Sequence, residues 1–202
     1  ETVALVGATP TTLVPRIAVT PEDLAEAARI VPEHDQALVA LHPGANDMRR
    51  RWSPENFAAV GDALAAAGAQ VVVTGSADEY DLAESVVQAM QKQAQNLSGK
   101  LSIGGLVGLL SRCRVLVSND TGPAHLAEAV GTATVGIYWC GNMLTFAPLT
   151  RAKQRQVISW RINCPVCGRD NMSTRCEHQV SFLDDISVEE VCQAALDLFA
   201  HQ

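Results

Sequence analysis

The stretch RVLVSNDTGPAHLAEAVG, from Arg114 to Gly131, joins an apolar run to an alanine-rich helical pattern through a short polar loop. An unbroken apolar run is typical of a strand that is buried on both faces of a parallel sheet. Gly122, Pro123 and the closing Gly131 predict a helix that begins directly after the loop. The stretch therefore predicts a strand, a loop and a helix of the α/β type.

The same alternation recurs along the chain. Further strands are predicted in the apolar runs ALVALHPG (37–44), AQVVVTG (69–75), ATVGIYW (133–139) and RQVISW (155–160). Further helices are predicted at 21–31, 53–68, 76–91, 102–113 and 187–201, with Ser53 and Ser187 as N-caps. Solid apolar strands that alternate with helices predict a doubly wound, Rossmann-like parallel sheet covered on both faces.

Composition narrows the function classes. The chain has 202 residues, of which 48% are hydrophobic and 4% aromatic, and its net charge is -7. An acidic chain is a poor non-specific nucleic-acid binder, so no nucleic-acid partner is predicted. No apolar run reaches the length of a membrane span, and six cysteines are too few for a disulfide scaffold. We expect a cytoplasmic setting, and the start ETVALVGATP suggests that the chain begins partway through a longer protein.

Three loops follow predicted strands and carry unusual residues. They are HPGANDMRRRWSPE (42–55), TGSADEYD (74–81) and SNDTGPAH (118–125). Ligands of doubly wound sheets bind at the carboxyl ends of the strands, where loops enter helices. The three loops are therefore expected to face one crevice.

The third loop has the features of an anion site. Gly122 permits close approach of a ligand to the backbone, and Pro123 suits the first helical position. Asp120 or Thr121 could cap the helix, whose free amides and dipole favour phosphate. The dipole is also expected to keep His125 neutral. The alternative is a plain cap and turn with His125 as an ordinary helix residue.

The first loop carries three adjacent arginines. Arg49, Arg50 and Arg51 could hold a diphosphate through forked hydrogen bonds and take the place of a divalent metal. The alternative is a solvated basic loop. Trp52 is interpreted as a core anchor for the following helix.

The second loop offers small and acidic residues. Carboxylates such as Asp78 and Glu79, beside Gly75 and Ser76, could accept hydrogen bonds from the hydroxyls of a ribose or another sugar. The alternative is a helix N-terminus decorated with acids, which is common.

A cysteine cluster, CPVCGRDNMSTRCEH, follows the last predicted strand. Cys164, Cys167, Cys176 and His178 could form a small zinc knuckle, although a disulfide, a redox pair and free thiols are competing interpretations. A knuckle here would clip a long loop, and we assign no metal to the ligand site itself. Cys113, Cys140 and Cys192 lie in apolar or helical patterns and are expected to be packed thiols.

Taken in order, HPGA…RRRW, VVVTGSADE and SNDTGPAHLAEAVGTATVGIY resemble the donor-binding half of glycosyltransferase family 9, the bacterial heptosyltransferases. The resemblance covers about residues 37–200. It implies a two-domain GT-B enzyme that uses no cofactor and transfers heptose from ADP-heptose to the lipopolysaccharide inner core. It further implies that residues 1–36 are the connection to an N-terminal domain and that 37–202 form the donor-binding domain.

The resemblance also assigns roles to residues. Asp120, Thr121, Gly122, Pro123 and His125 match the motif expected to contact the diphosphate and sugar. Glu79, with Gly75 and Ser76, matches the loop expected near the ribose, and His42, Pro43 and Gly44 match the strand-end turn. Arg50 stands where the family has lysine. Arg50, His125 and Asp120 are the expected catalytic residues, the first two by stabilising charge on the departing diphosphate.

One part of the reaction is not assigned to this chain. The resemblance implies that a lipid-linked saccharide acceptor and the acidic general base belong to the missing N-terminal domain. Peripheral association of the full-length enzyme with the inner face of the inner membrane would then follow. A non-catalytic nucleotide-sugar-binding module and a GT-B-shaped sugar-nucleotide epimerase are the alternative functions.

Overall fold

The computed structural model describes residue 7 and residues 14–148 and 150–201. Six strands and seven α-helices are assigned in this part of the chain. The strands are β1 (Leu38–His42), β2 (Gln70–Val73), β3 (Ala94–Asn96), β4 (Cys113–Asn119), β5 (Ala133–Trp139) and β6 (Gln154–Ser159). The helices are α1 (Pro21–Ile30), α2 (Pro54–Ala66), α3 (Tyr80–Ala89), α4 (Ile103–Arg112), α5 (Gly122–Val130), α6 (Cys140–Phe146) and α7 (Val188–Ala200).

The strands form one parallel sheet in the order β3-β2-β1-β4-β5-β6. The chain winds outward in one direction from β1 and then returns to build the other half from β4. This order is that of a doubly wound sheet, with its switch point between β1 and β4. The predicted fold class is therefore confirmed.

Two elements were missed from the sequence. β3 has only three residues, and its AQN sequence lacks the apolar run that marks the other strands. Helix α6 begins at Cys140, directly after the strand at 133–139, in a stretch for which no element is predicted. Both are short enough that packing, not local pattern, decides them.

The central strands are buried on both faces because successive side chains point to opposite sides. Val71 and Val73 belong to the core beneath α2, α3 and α7, whereas Val72 belongs to the core beneath α1, α4 and α5. Trp52 is fully buried in the first core and meets Phe57 edge to face at 5.4 Å. The prediction that Trp52 anchors α2 is confirmed.

Helix α1 packs tightly on α4. A Cβ on Gly108 would collide with the backbone carbonyl of Asp23, so this glycine permits the two helices to approach. Glu26 accepts hydrogen bonds from the backbone and side chain of Ser102, the N-cap of α4. Residues 21–31 are thus integrated in the fold, while the boundary at residue 36 stays a prediction.

None of the helices in the described part of the chain is long and apolar enough to cross a membrane.

Candidate functional site

The three loops meet around one cavity at the carboxyl edge of the sheet, beside the switch point. Its volume is about 350 Å³. It is lined by His42, Asn46, Thr74, Gly75, Ser76, Glu79, Leu97, Leu101, Ser102, Ile103, Leu106, Thr121 and Pro123. We call it the Glu79 cavity. The expected convergence of the first, second and third loops is present here.

One wall of the Glu79 cavity was missed from the sequence. Leu97 and Leu101 follow β3, Ile103 and Leu106 lie at the start of α4, and together they make this wall apolar. Ile103 is 77% exposed although it is a large hydrophobic residue. The apolar residues at the start of α4 are visible in the sequence. Their position beside the second loop depends on β3, which was not predicted.

Glu79 is held by its own loop. Its Oε2 accepts from the backbone N–H of Ser76 at 2.9 Å and from the Ser76 hydroxyl at 3.2 Å. A Cβ on Gly44 would collide with the Glu79 carboxylate, so the glycine at the end of the first strand makes room for the acid of the second loop. The position of the Glu79 carboxylate therefore depends on the absence of a side chain at Gly44.

His42 lines the same cavity and is buried. The Thr74 hydroxyl donates to the Leu41 carbonyl, so it must accept from Nδ1–H of His42 at 3.0 Å. Nε2 is then the acceptor nitrogen. Burial lowers the pKa of His42 to about 4, against the opposing effect of Glu79, so this imidazole is neutral at physiological pH.

Asn119 ties the first and third loops together across the switch point. Its Nδ2 donates to the Pro43 carbonyl at 2.8 Å, and its Oδ1 accepts from the Trp52 backbone N–H at 3.2 Å. The side chain is fully buried. Sequence reasoning passed over Asn119 because it lies within the motif beside the more conspicuous Asp120.

Asp120 is the centre of a charged group that we call the Asp120 cluster. Oδ2 accepts from Asn142 Nδ2 at 2.7 Å and lies 3.5 Å from Arg50 Nη1. Oδ1 lies 3.7 Å from His125 Nε2, and His125 Nδ1 lies 3.8 Å from Glu128. Asp120 is 5% exposed, so Arg50, His125 and Asn142 surround a nearly buried carboxylate, and Glu128 joins the group through His125.

The expectation that the helix dipole keeps His125 neutral is wrong, because the pKa of His125 shifts in the opposite direction. The Glu128 carboxylate, reinforced by Asp120, raises the pKa of His125 above its usual value, and burial opposes this only in part. Two nearby full negative charges outweigh the partial charge of the helix terminus.

The start of α5 differs in detail from the predicted cap. Thr121 occupies the N-cap, but its side chain makes no capping hydrogen bond, and Asp120 turns away to its cluster. The helix begins at Gly122, so Pro123 takes the second helical position and not the first. A Cβ on Gly122 would meet nothing within 4 Å, so open space lies before this uncapped turn.

The three arginines point in different directions, so they cannot act as one diphosphate clamp. Arg49 is 6% exposed and holds Asp47 through Nε and Nη2 at 3.1 and 2.7 Å. Arg51 Nε donates to the Ala45 carbonyl at 2.8 Å. Of the three, only Arg50 reaches the Asp120 cluster. Arg49 thus supports the loop, because its charge is already paired.

The cysteine cluster lies in the segment that follows β6. The ligand atoms of Cys164, Cys167, Cys176 and His178 all lie within 4.8 Å of one another. Backbone amides of Cys167 and Val166 lower the pKa of Cys164 to about 6. Cys113 and Cys140 are buried in the domain, as predicted.

A larger groove, of about 830 Å³, lies at the opposite edge of the sheet and is lined by residues such as Asp35, Arg112 and Lys153. The amino ends of the strands meet there. The carboxyl edge is the better candidate, because it carries the uncapped helix start and the fitted loops.

Comparison with known proteins identifies the family. The family model of glycosyltransferase family 9 (heptosyltransferase) matches residues 3–176. The chain belongs to glycosyltransferase family 9. It is 32% identical over 124 residues to "Lipopolysaccharide heptosyltransferase 3" of Escherichia coli, an alignment that covers 55% of this chain and 36% of the relative.

Two solved structures share the fold of this family 9 chain. One is the glycosyl transferase family 9 protein from Veillonella parvula, with a TM-score of 0.79 and 24% identity over 99% of this chain and 58% of that one. The other is the E. coli ADP-heptose lps heptosyltransferase II, with a TM-score of 0.76 and 21% identity over 95% of this chain and 56% of that one. The chain thus spans just over half of each structure and about a third of the curated relative.

Proposed function

We propose that this chain is the donor-binding half of an inverting heptosyltransferase that takes ADP-heptose, or a closely similar nucleotide sugar, and acts on the lipopolysaccharide inner core. Membership of family 9 supports the reaction class. The site supports the donor role, because an apolar cavity, an uncapped helix start and the Arg50 guanidinium follow one another at the switch point. We also propose that residues 37–202 form the donor domain and 1–36 the connection.

In this proposal the nucleoside lies in the Glu79 cavity. The apolar wall formed by Leu97, Leu101, Ile103 and Leu106 suits the face of a planar base. Glu79 is fixed by Ser76 and can accept from the two ribose hydroxyls. Gly44 and Gly75 have no side chains, so they leave space for the Glu79 carboxylate and for the ligand.

The diphosphate would then lie across the start of α5. Thr121 supplies no side-chain cap, Pro123 has no N–H, and the Ala124 N–H donates to the Thr121 carbonyl at 3.1 Å. The Gly122 N–H is left for a ligand, and the open space in front of Gly122 admits an anion to it. Arg50 and His125 lie beside the same turn, and Glu128 and Asp120 raise the pKa of His125.

The chemistry assigned to this half is stabilisation of the leaving group. An acceptor hydroxyl attacks the anomeric carbon, the bond from that carbon to the diphosphate oxygen breaks, and negative charge grows on the diphosphate. Arg50 and His125 are placed to stabilise that charge. Asp120 acts as a positioning residue, because its oxygens already face Asn142, Arg50 and His125. We expect the acceptor site and the general base to lie outside residues 37–202.

The observation that carries the proposal is the position of Asp120, Thr121 and Gly122 between the Glu79 cavity and Arg50. It can be tested by calorimetry with ADP, UDP and ADP-heptose on the wild-type chain and on Asp120→Ala. We expect weak binding of ADP and ADP-heptose and weaker binding of UDP. Asp120→Ala should lower the affinity for ADP by about tenfold or more, because Arg50 and His125 lose the carboxylate that orients them.

Asp184→Ala removes an exposed acid far from these contacts in sequence and serves as the control. No binding of any nucleotide to the folded wild-type chain would remove the donor-site proposal. Unchanged ADP affinity with a selective loss of ADP-heptose affinity in Asp120→Ala would place Asp120 against the sugar instead.

A further inference from the structure

We propose that Cys164, Cys167, Cys176 and His178 bind one tetrahedral transition-metal ion, with zinc favoured by the donor set, and that this ion fastens the segment between β6 and α7. We call residues 160–186 the cysteine loop. The proposal concerns a site apart from the nucleotide site and does not depend on it.

The spacing of the ligand atoms is close to that of a closed metal site. A tetrahedral zinc ion with zinc–sulfur distances of about 2.3 Å holds its ligand atoms about 3.8 Å apart. The four ligand atoms here all lie within 4.8 Å of one another. Movements of the side chains by about an ångström would complete the coordination.

Burial of the ligands points the same way. Cys164 and Cys176 are 4% and 6% exposed, whereas Cys167 is exposed. Nδ1 of His178 is buried and has no hydrogen-bond partner among the described residues. A buried imidazole nitrogen without a partner, beside three thiols, is explained by a metal ligand and by little else.

The backbone around the first two cysteines forms a tight turn. The Gly168 N–H donates to the Cys164 carbonyl at 2.9 Å, and the Cys164 N–H donates to the Arg169 carbonyl at 2.9 Å. Gly168 adopts a φ of 71°, which favours glycine. The turn presents the Cys164 and Cys167 thiols to the same side, as a metal knuckle requires.

A disulfide explains less of this arrangement. A bond between two of the three sulfurs would leave the third thiol and the His178 nitrogen together without a function. A redox pair would leave the same two groups. One metal ion accounts for all four.

The cysteine loop also has little regular secondary structure to stabilise it. Apart from an isolated bridge between Asn163 and Asp170, no strand or helix is assigned in residues 160–186. Long segments without regular structure need another source of order, and a metal ion can supply it.

The cysteine loop in turn holds the loop of the three arginines. Asn171 Oδ1 accepts from the Cys176 backbone N–H at 3.4 Å and from Arg49 Nη1 at 3.5 Å. Nearby, the Phe182 N–H donates to the Arg49 carbonyl at 2.7 Å, and the Ser181 hydroxyl donates to the Arg51 carbonyl at 2.7 Å. Loss of the metal should therefore loosen residues 45–52.

The first experiment measures metal content by mass spectrometry after expression in zinc-supplemented medium and purification without chelators. We expect one equivalent of metal per wild-type chain and less than about a tenth of that in Cys167→Ser and His178→Ala, since each removes one of four ligands. Cys192→Ser changes a half-buried cysteine on α7 outside the cluster and should keep the full equivalent.

The second experiment uses the wild-type chain alone, so it holds even if a ligand variant fails to fold. Replacement of the metal by Co²⁺ should give the thiolate charge-transfer and visible bands of tetrahedral cobalt. Chelation should then speed hydrogen exchange in peptides covering residues 45–52, and added Zn²⁺ should restore protection. Exchange in α2 should not change.

Three outcomes would overturn the proposal. One is a wild-type chain without bound metal, and another is equal metal content in wild type, Cys167→Ser and His178→Ala. The third is a mass two hydrogens lower with Cys164 and Cys167 joined in one peptide. One equivalent of iron in place of zinc, lost in the same variants, would support the site and correct the choice of metal.

Discussion

The Glu79 cavity and the Asp120 cluster, the two sides of the candidate site, differ in how their acids and histidines are paired. In the Glu79 cavity the acid is tied to its own loop, and His42 is buried and neutral. In the Asp120 cluster the acid lies beside Arg50 and His125, and the pKa of His125 is raised. The two sides are separated only by Thr121 and the start of α5.

This difference suits a ligand with one nearly neutral part and one strongly charged part. A nucleoside offers an apolar ring and neutral hydroxyls, whereas a diphosphate offers full negative charge. A cavity with few free charges suits the first, and Arg50 and His125 beside the Gly122 N–H suit the second. If the two sides hold different parts of one ligand, substitutions on each side should have different effects.

The largest effects are expected from two neighbouring arginines. Arg50→Ala should lower ADP affinity by about thirtyfold, because it removes a charge that we propose to face the diphosphate. Arg49→Ala should lower the free energy of unfolding by about 3 kcal/mol, since it leaves Asp47 without its main partner. Arg49 holds the pKa of Asp47 down at about 2. Calorimetry and urea denaturation measure the two effects, and similar behaviour of both variants would contradict the separate roles.

His42 should make the chain sensitive to acid. Its pKa is about 4 when folded and near 6.5 as a free side chain. Between these values the unfolded chain binds a proton that the folded chain does not, so the free energy of unfolding rises with pH across this window, by at most about 3 kcal/mol.

Urea denaturation at several pH values measures this slope. His42→Gln should flatten it, and His34→Gln, at an exposed histidine, should not. An unchanged slope in His42→Gln would show that His42 is not held neutral.

The two ends of α5 should separate binding from stability. Gly122→Ala places a methyl group in open space, so it should fold normally yet weaken ADP binding by about fivefold. Gly131→Ala forces a side chain into a φ of 87°, so it should destabilise folding by about 1 kcal/mol and leave binding unchanged. Thermal unfolding and calorimetry on both variants give the comparison. Normal ADP binding by Gly122→Ala would remove the diphosphate from this turn.

The smallest effect is expected from the charge on His125. Its folded pKa is raised, so the charge is present at low pH and is lost as pH rises through that value. Affinity for ADP-heptose should fall by about threefold between roughly pH 6 and pH 8, because the partly exposed charge is screened by solvent. ADP-heptose is the suitable ligand, since its doubly esterified diphosphate does not titrate here. His125→Gln should abolish the trend, and a pH dependence that persists in this variant would assign it elsewhere.

Much of the fold could be predicted because its signals are local. Solid apolar runs, serine caps and the glycine at residue 131 marked the strands and helices that the structure contains. β3 and α6 could not be found this way, because a three-residue AQN strand and a seven-residue helix carry little local preference. The apolar wall of the Glu79 cavity was missed for the same reason, since β3 positions it.

The candidate site was predicted in outline and corrected in detail. Sequence order placed three loops at one edge of the sheet, because the carboxyl ends of parallel strands share that edge. It could not show that Arg49 pairs with Asp47 while Arg50 turns to Asp120, because adjacent residues can face opposite ways. Nor could it set the charge of His125, which depends on Glu128 and Asp120 around it.

Three properties follow from the sequence alone: the doubly wound sheet, the loops that meet at its carboxyl edge, and membership of glycosyltransferase family 9. The first two follow from solid apolar runs that alternate with helical patterns, and the third from the motifs of the three loops. Folding was needed to show which acid is bonded to its own loop, which arginine reaches Asp120, and that three cysteines and a histidine lie together. Charge and coordination depend on distances between residues far apart in the chain, and those distances exist only after folding.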